Sequence, residues 1–230
     1  TVAAQAIGEP ATQLTMRTFH SGGTAQVGGD ITQGLPRVEE VFERRLPRNP
    51  AVVCQVDGVV SEIRETGKDK EIVILPDGKS EKKLKLEYPI NYRRTILVKA
   101  GDKMKKGDVM TDGSADISEL YKFGGKELAQ QYIISETSRI YEMQGASIAR
   151  KHIEVIVRQM FARVKISNPG DTHFVRSDVI EAAQFAREND RLKDEGKNLI
   201  KGEALVMGIS DVSLSRQSFL SSASFQHTTK

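Results

Sequence analysis

Ile153, Ile156, Val157, Met160, Phe161 and Val164 recur at steps of three and four residues, the spacing of one helical face. Arg150, Lys151, Glu154, Arg158 and Arg163 fall on the other side, so the pattern predicts an amphipathic helix whose polar face includes Arg163. Upstream, Leu128, Tyr132, Ile133 and Ile140 mark a further helix. From Ala51 to about Ser114 the period shortens to that of strands. The runs AVVCQV, GVVSEI, EIVIL, KLKLEY and TILVKA are short and β-rich. Gly58, Pro76-Asp77-Gly78, Ala100-Gly101-Asp102, Lys106-Gly107-Asp108 and Asp112-Gly113 are expected to turn the chain between them.

The N-terminal end is helical in a different way. Thr1 to Ser21 reads as a helix bent at Gly8-Glu9-Pro10, where Pro10 removes a backbone donor. Gly22, Gly23, Gly28 and Gly29 bracket a short polar link and form a flexible joint. A second helix follows, with Pro36 in its first turn and Val38, Val41 and Phe42 as its apolar stripe. Glu40 and Arg44 are expected to pair across one turn, and Pro47 and Pro50 to end the helix. The whole predicts a helical hairpin with a glycine hinge. Further on, Pro169-Gly170-Asp171 predicts a turn, and Asp178 with Glu181 a capping box for a helix ending near Gly196. Residues 203–209 read as a strand or buried extended segment before a Ser-rich tail.

Composition narrows the class. The chain has 230 residues, 38% hydrophobic and 28% charged, as in a globular protein of one large or two small domains. No apolar run approaches the ~20 residues of a membrane span, and no signal peptide is visible. Both ends read as interior to a longer polypeptide. The lone Cys54 excludes a disulfide framework and a Cys-rich zinc site within the chain, and its apolar neighbours predict a buried thiol. A net charge of +3 adds a weak pointer to an anionic partner.

The candidate chemistry lies in GEPATQLTMRTFHSGG, residues 8–23. Gln13, Met16, Arg17 and His20 share one helical face. That face combines an amide, a thioether, a guanidinium and an imidazole, with no carboxylate to pair the cations. It suits an anionic ligand with a planar ring, such as a nucleotide. Arg offers a fork for phosphate oxygens, His a hydrogen bond or proton near neutral pH, and Met an adaptable apolar surface. The alternative is a solvated helix face. The position between a Pro bend and a Gly hinge favours a moving lid. Lys79 to Lys106 is rich in Lys and Arg and fits a nucleic-acid backbone or, alternatively, a solvated strand face with edge-protecting lysines. Lys105 lies in a context faintly similar to a biotinyl or lipoyl carrier hairpin, without that pattern's Ala-Met-Lys-Met; a carrier would show a covalent adduct on Lys105 by intact mass. His152, at the start of an apolar-faced helix, reads as structural; His173 and His227 lack metal-spaced partners, and no closely spaced aspartates could hold magnesium.

AAQAIGEPATQLTMRTFHSGG resembles the first trigger helix of the largest catalytic subunit (β′) of bacterial RNA polymerases, and DITQGLPRVEEVFERR the second. KHIEVIVRQM resembles the jaw segment of that family. LVMGISDVSLSRQSFLSSASFQHTT is similar to the stretch leading into its first switch. These blocks keep the family's order and span nearly the whole chain. Ala11 stands where the family usually has Gly, which implies a stiffer helix just after the bend. The spacing VKAGDKMKKGDVMTDG is similar to a barrel-sandwich hybrid. The resemblance implies an α+β fragment of a larger multidomain subunit. Its parts would be a trigger-helix hairpin at 1–45, a barrel-sandwich-like jaw module at 46–115, a helical region at 116–200 and a switch-like segment at 201–230.

By resemblance, Met16 would stack on the base of an incoming nucleoside triphosphate. Arg17 and His20 would contact its phosphates, with His20 as positional catalyst or acid toward pyrophosphate. Gln13 would lie near the ribose, and Leu14 and Phe19 would support a closed state. Gly8, Pro10, Gly22, Gly23, Gly28 and Gly29 would be the hinge. The catalytic Mg²⁺ and the zinc of the assembled enzyme would be held by residues outside this chain, which alone is expected to be inactive. Expected partners are the rest of β′, the β, α, ω and sigma subunits, DNA, RNA and nucleoside triphosphates, in the cytoplasm with the nucleoid and without a membrane. The competing reading is a non-catalytic DNA-contacting or scaffold module of the same machinery.

Overall fold

The computed structural model describes residues 2–20, 34–66, 69–77, 85–215 and 223; the side chains of 13–20, 35, 66 and 69 lie outside that description. In chain order the described elements are α1 (Val2–His20), α2 (Leu35–Phe42), β1 (Gly58–Thr66), β2 (Asp69–Pro76), β3 (Leu86–Asn91), β4 (Lys103–Met104) and α3 (Ile117–Met143). There follow α4 (Arg150–Met160), β5 (Arg163–Asn168), β6 (Val179–Glu181), α5 (Ala182–Asp194), β7 (Lys201–Leu205) and α6 (Ile209–Leu214). They fall into two units: Leu46–Tyr132, and the combination of Thr1–Arg45 with Ile133–Lys230. Among the described residues no helix is long and apolar enough to cross a membrane.

In the unit Leu46–Tyr132 an antiparallel sheet runs β3-β2-β1-β4. Alternation decides its inward face. Ile72 and Ile74 lie opposite Ile63 and Val60 on one side and Tyr88 and Leu86 on the other. With Cys54, Ile90, Met104 and Met110 they form the core. The Cys54 thiol donates to the Val56 carbonyl at 3.0 Å, and burial pushes its ionisation upward, as expected of a core thiol. A register shift between Val60 and Glu62 bulges β1.

Three expectations for this unit change. Gly58 is not a turn residue but the first residue of β1, paired with Pro76 and Met104. The segments 51–56 and 95–100 are not regular strands; each contributes an isolated bridge, Val53–Val109 and Ile96–Thr111. Side-chain oxygens take ladder positions there. The Val52 amide donates to Thr111 Oγ1 at 3.0 Å, and the Thr95 amide to Asp112 Oδ1 at 2.9 Å, which interrupts regular pairing.

The turns at Gly101 and Gly107 hold, while Gly78 of the expected Pro76-Asp77-Gly78 turn lies outside the described residues. Asp102 N–H donates to Lys99 O and Asp108 N–H to Lys105 O, with Gly101 and Gly107 at φ 95° and 91°, the positive φ that the third residue of a type II turn requires. In each, the closing aspartate accepts the amide of the first residue, at 2.7 and 2.8 Å. Val175 to Asp178 repeats this arrangement with Ser177 at φ 79°. Asp178 is therefore a turn-closing residue and not the cap of α5, whose N-cap Glu181 ends β6 and makes no side-chain cap bond. A serine at that φ is strained, so Ser177→Gly is expected to stabilise the chain by about 1 kcal/mol. On a chain this size that raises the melting temperature by about 2–4 °C; an unchanged or lower melting temperature would contradict the strain argument.

In the other unit α4 buries Ile153, Val157 and Met160 as its periodicity demands, while β6-β5-β7 forms a three-stranded antiparallel sheet. Ile166, Ile180, Leu192 and Ile200 make a core beneath it, with Phe174 and Phe185 packed alongside. The helical pattern was expected to continue to Val164, with Arg163 on its polar face. Instead the helix ends at Met160, Arg163 and Val164 begin β5, and Arg163 is 1% exposed. Its guanidinium donates from Nε to Ser215 Oγ and from Nη1 to Ala162 O, both at 3.3 Å, and lies 3.5 Å from its cross-strand neighbour Glu181. The α2 stripe of Val38, Val41 and Phe42 is buried as expected. However, α2 stops at Phe42, well before Pro47, and Arg44 turns to φ 52°. Glu40 pairs with Arg37 at 2.6 Å, and Glu39 with Arg45 at 2.8 Å, in place of the expected Glu40–Arg44 pair. α5 does end beside Gly196, at φ 66°. Of residues 203–209 only the first three are strand; Ile209 begins α6.

Candidate functional site

The helix α1 carries all six of the candidate ligand-contacting residues. Its backbone is helical from Val2 through His20, so Gln13, Met16, Arg17 and His20 share one side of it by register, with Leu14 and Phe19 elsewhere around the axis. The side chains of these six residues lie outside the described residues, as do Gly22, Gly23, Gly28 and Gly29 of the expected hinge. Gly8 and Pro10 lie within α1, and a Cβ on Gly8 would meet nothing within 4 Å.

The helix α1 packs against α4, and its first half is also held by a hydrogen bond from α3. From Val2 to Thr12 only Ile7 is buried. Its carbonyl accepts the hydroxyl of Tyr141, a fully buried residue of α3, at 2.9 Å. One residue on, the Gly8 carbonyl accepts the Thr12 hydroxyl at 3.1 Å.

The start of α2 is held by ions. Arg37 Nε donates to Glu136 at 3.3 Å while its Nη1 reaches Glu40 at 2.6 Å, and Arg139 closes on Glu136 at 2.9 Å. Arg37 and Glu136 are both largely buried, so their pairing fixes α2 to α3 with little screening from water. At the end of α2, Glu43 accepts the Ser210 hydroxyl at 2.5 Å and its amide at 3.3 Å, which satisfies an orphan donor at the start of α6. Gly208 permits that approach, because a Cβ there would lie 2.8 Å from the Glu43 carbonyl oxygen.

The basic stretch divides in two. Of residues 79–106, those at 79–84 lie outside the described residues. Lys85 and Glu87 join Glu62 and Arg64 in an exposed ion-pair cluster, and Arg64 holds the Glu62 carboxyl below its usual range. That part is a self-neutralised strand face. Arg94 is structural: its Nη1 and Nη2 donate to the carbonyls of Asp112 and Pro50 at 3.2 and 3.0 Å. Arg93, Lys99, Lys103, Lys105 and Lys106 are exposed, and the nearby carboxylates of Asp102 and Asp108 are occupied by the backbone amides of Lys99 and Lys105. Lys105 opens its turn and does not occupy the tip, which a carrier lysine would. His173 packs against Phe174 with ring centroids 4.3 Å apart, and no described His, Cys, Asp and Glu residues group in threes as metal ligands.

Tyr141, Glu43, Arg37 and Glu136 are absent from the sequence-predicted set. Pro10 inside a helix was the one local sign that α1 needs outside support; nothing local marks Tyr141 as its source, 134 residues away.

Residues 1–217 match the family described as RNA polymerase Rpb1, domain 5. Over 229 residues the chain is 47% identical to DNA-directed RNA polymerase subunit beta' of Caldicellulosiruptor saccharolyticus, with 100% of this chain and 19% of that protein covered. The corresponding protein of Desulforudis audaxviator is 45% identical with the same coverage, and that of Bacillus pumilus 44%. The chain thus spans about a fifth of the length of the curated relatives it matches.

Proposed function

This chain belongs to the family of RNA polymerase Rpb1, domain 5, and we propose that it is the part of a bacterial β′ subunit that closes on the incoming nucleotide during template-directed RNA synthesis. In this reading residues 1–45 are the trigger-helix hairpin, and α1 is its first arm. Met16 stacks on the base, Gln13 lies near the ribose, Arg17 and His20 meet the phosphates, and Leu14 and Phe19 support the closed arm. Gly8, Pro10, Gly22, Gly23, Gly28 and Gly29 let it move. The attacking oxygen is the 3′ hydroxyl of the RNA, and the leaving group is pyrophosphate. Positioning and charge stabilisation supply most of the catalysis, and closure excludes water. The module at 46–115 would flank downstream duplex DNA as a jaw, with Arg93, Lys99, Lys103, Lys105 and Lys106 as the candidate phosphate contacts.

The observation that carries the reading is the build of α1. It is fastened at Ile7, contains Pro10, and continues to His20 with Gln13, Met16, Arg17 and His20 on one side. The described residues form no metal-ligand cluster and so do not fit the Mg²⁺ or the zinc that such an enzyme uses. Ligands for both would come from the rest of β′. Its other partners would be the β, α, ω and sigma subunits, in the cytoplasm on the nucleoid.

The reading is tested by Arg17→Ala in the assembled polymerase. Loss of charge-assisted bonds to phosphate is expected to lower the efficiency of single-nucleotide addition by about 10- to 100-fold. Retention of DNA should not change. Equal loss in both assays would favour the scaffold reading, in which α1 never reaches a nucleotide.

A further inference from the structure

Inside an α-helix each carbonyl at i accepts the amide at i+4. Pro10 has no amide hydrogen, so the Ala6 carbonyl loses its helical donor, and the proline ring crowds the same turn. A helix weakened in this way bends unless outside groups hold the turn. Two hydroxyls serve the next two carbonyls, Tyr141 on Ile7 and Thr12 on Gly8. They differ in kind. Thr12 belongs to α1, is exposed, and moves with the arm. Tyr141 belongs to α3, is fully buried, and is itself rigidly placed.

That rigidity comes from the end of α3. The Ala146 amide donates to the Tyr141 carbonyl and the Gly145 amide to the Glu142 carbonyl, both at 2.9 Å, with Gly145 at φ 75°. This is the paired bonding of a Schellman motif, which locks the last helical turn. Tyr141 is the residue whose carbonyl that lock uses. Burial pushes its hydroxyl further from ionisation, so it remains a donor.

We infer that Tyr141 is a positioning residue for the α1 arm: its hydroxyl pins the Ile7 carbonyl to the end of α3, which places the fixed root before Gly8 and confines bending to Gly8-Glu9-Pro10. The inference rests on the reading of α1 as the nucleotide-closing arm. In this reading Tyr141 is not itself a nucleotide-contacting residue. It acts by fixing the direction in which the Gln13/Met16/Arg17/His20 side of α1 leaves the body of the unit.

The test is Tyr141→Phe in the assembled polymerase, alone and combined with His20→Ala, with rates normalised to the fraction of complexes that extend. The single substitution removes one hydrogen bond and keeps the ring. Addition at saturating nucleotide is expected to slow by about 3- to 10-fold, with DNA retention unchanged. In the His20→Ala background the same substitution is expected to change the rate less than about twofold, because a misdirected arm has little left to lose. Equal slowing in both backgrounds would mean that Tyr141 acts apart from the arm and would overturn the inference. An unchanged rate with Tyr141→Phe, beside a slow His20→Ala enzyme, would overturn the inference and leave the functional reading standing. Normal addition with His20→Ala alone would overturn both.

Discussion

Assembled polymerase carrying His20→Ala is expected to add nucleotides about 10²–10³ times more slowly at saturating nucleotide, with DNA binding little changed. Negative charge grows on the pyrophosphate as the bond to the α-phosphate breaks. A donor held there stabilises the transition state more than the bound ground state, so its loss falls on the rate and not on nucleotide affinity. Imidazole is suited to the task because it titrates near neutral pH. Alanine removes both a hydrogen-bond donor and a transferable proton, whereas His20→Gln removes only the second. Near-normal addition with Gln would identify His20 as a positional catalyst; Gln as slow as Ala would identify it as an acid. Rapid-quench measurement of single additions, beside retention of DNA, checks both variants. Equal loss of addition and DNA retention would remove His20 from the chemistry.

The second large effect is structural. Gly58→Val is expected to destabilise the Leu46–Tyr132 unit by about 3 kcal/mol or more, the upper range for overpacking. Gly58 pairs with Pro76 on one side and Met104 on the other. A Cβ at Gly58 would stand 2.3 Å from the Leu75 carbonyl oxygen, 2.9 Å from its carbon and 3.0 Å from Pro76 Cα. These are all backbone atoms, so no rotamer change relieves the clash, and β1 must part from β2 where the sheet begins. Gly8→Ala is the matched control. Space is open there, and alanine favours the helix by up to about 1 kcal/mol. Thermal melting of both variants tests the contrast; a Gly58→Val chain that melts like the unsubstituted one would refute it.

What the sequence revealed and what it hid divide by distance along the chain. The α4 stripe, the alternation of Ile72 and Ile74, and the positive-φ glycines 101, 107, 113 and 170 are legible because each is decided by neighbours within a turn or a strand. Where a local rule failed, either a partner from elsewhere had intervened or a rival local motif had won, as with Asp178 on Val175 and Glu40 on Arg37. Val164 fits the helical period, but it also fits a strand between β6 and β7, and two flanking strands outweigh one more helical residue. Arg163 looked solvated because nothing nearby foretold that Ser215 would meet it. Asp178 and Glu181 matched a cap in spacing, yet the Asp102 and Asp108 turns show the same aspartate closing a type II turn. The candidate site was legible as a face on one helix. Its supports, Tyr141 on Ile7 and Glu43 on Ser210, join residues 134 and 167 positions apart and left no mark in the local pattern.

The unit that holds α1 is split in sequence, its two parts separated by the whole of Leu46–Tyr132. On a ribosome this sets a timetable. At about 5–20 residues per second, Ser210 follows Glu43 by roughly ten seconds or more. The intervening unit draws its sheet and core from its own residues, so it has time to fold first. Throughout that interval Ile7, Arg37 and Glu43 lack Tyr141, Glu136 and Ser210, and the apolar stripe of α2 is open to chaperones and to neighbouring nascent chains. A stop between Tyr132 and Glu136 would release a chain whose Leu46–Tyr132 unit is finished while Ile7, Arg37 and Glu43 stay without Tyr141, Glu136 and Ser210.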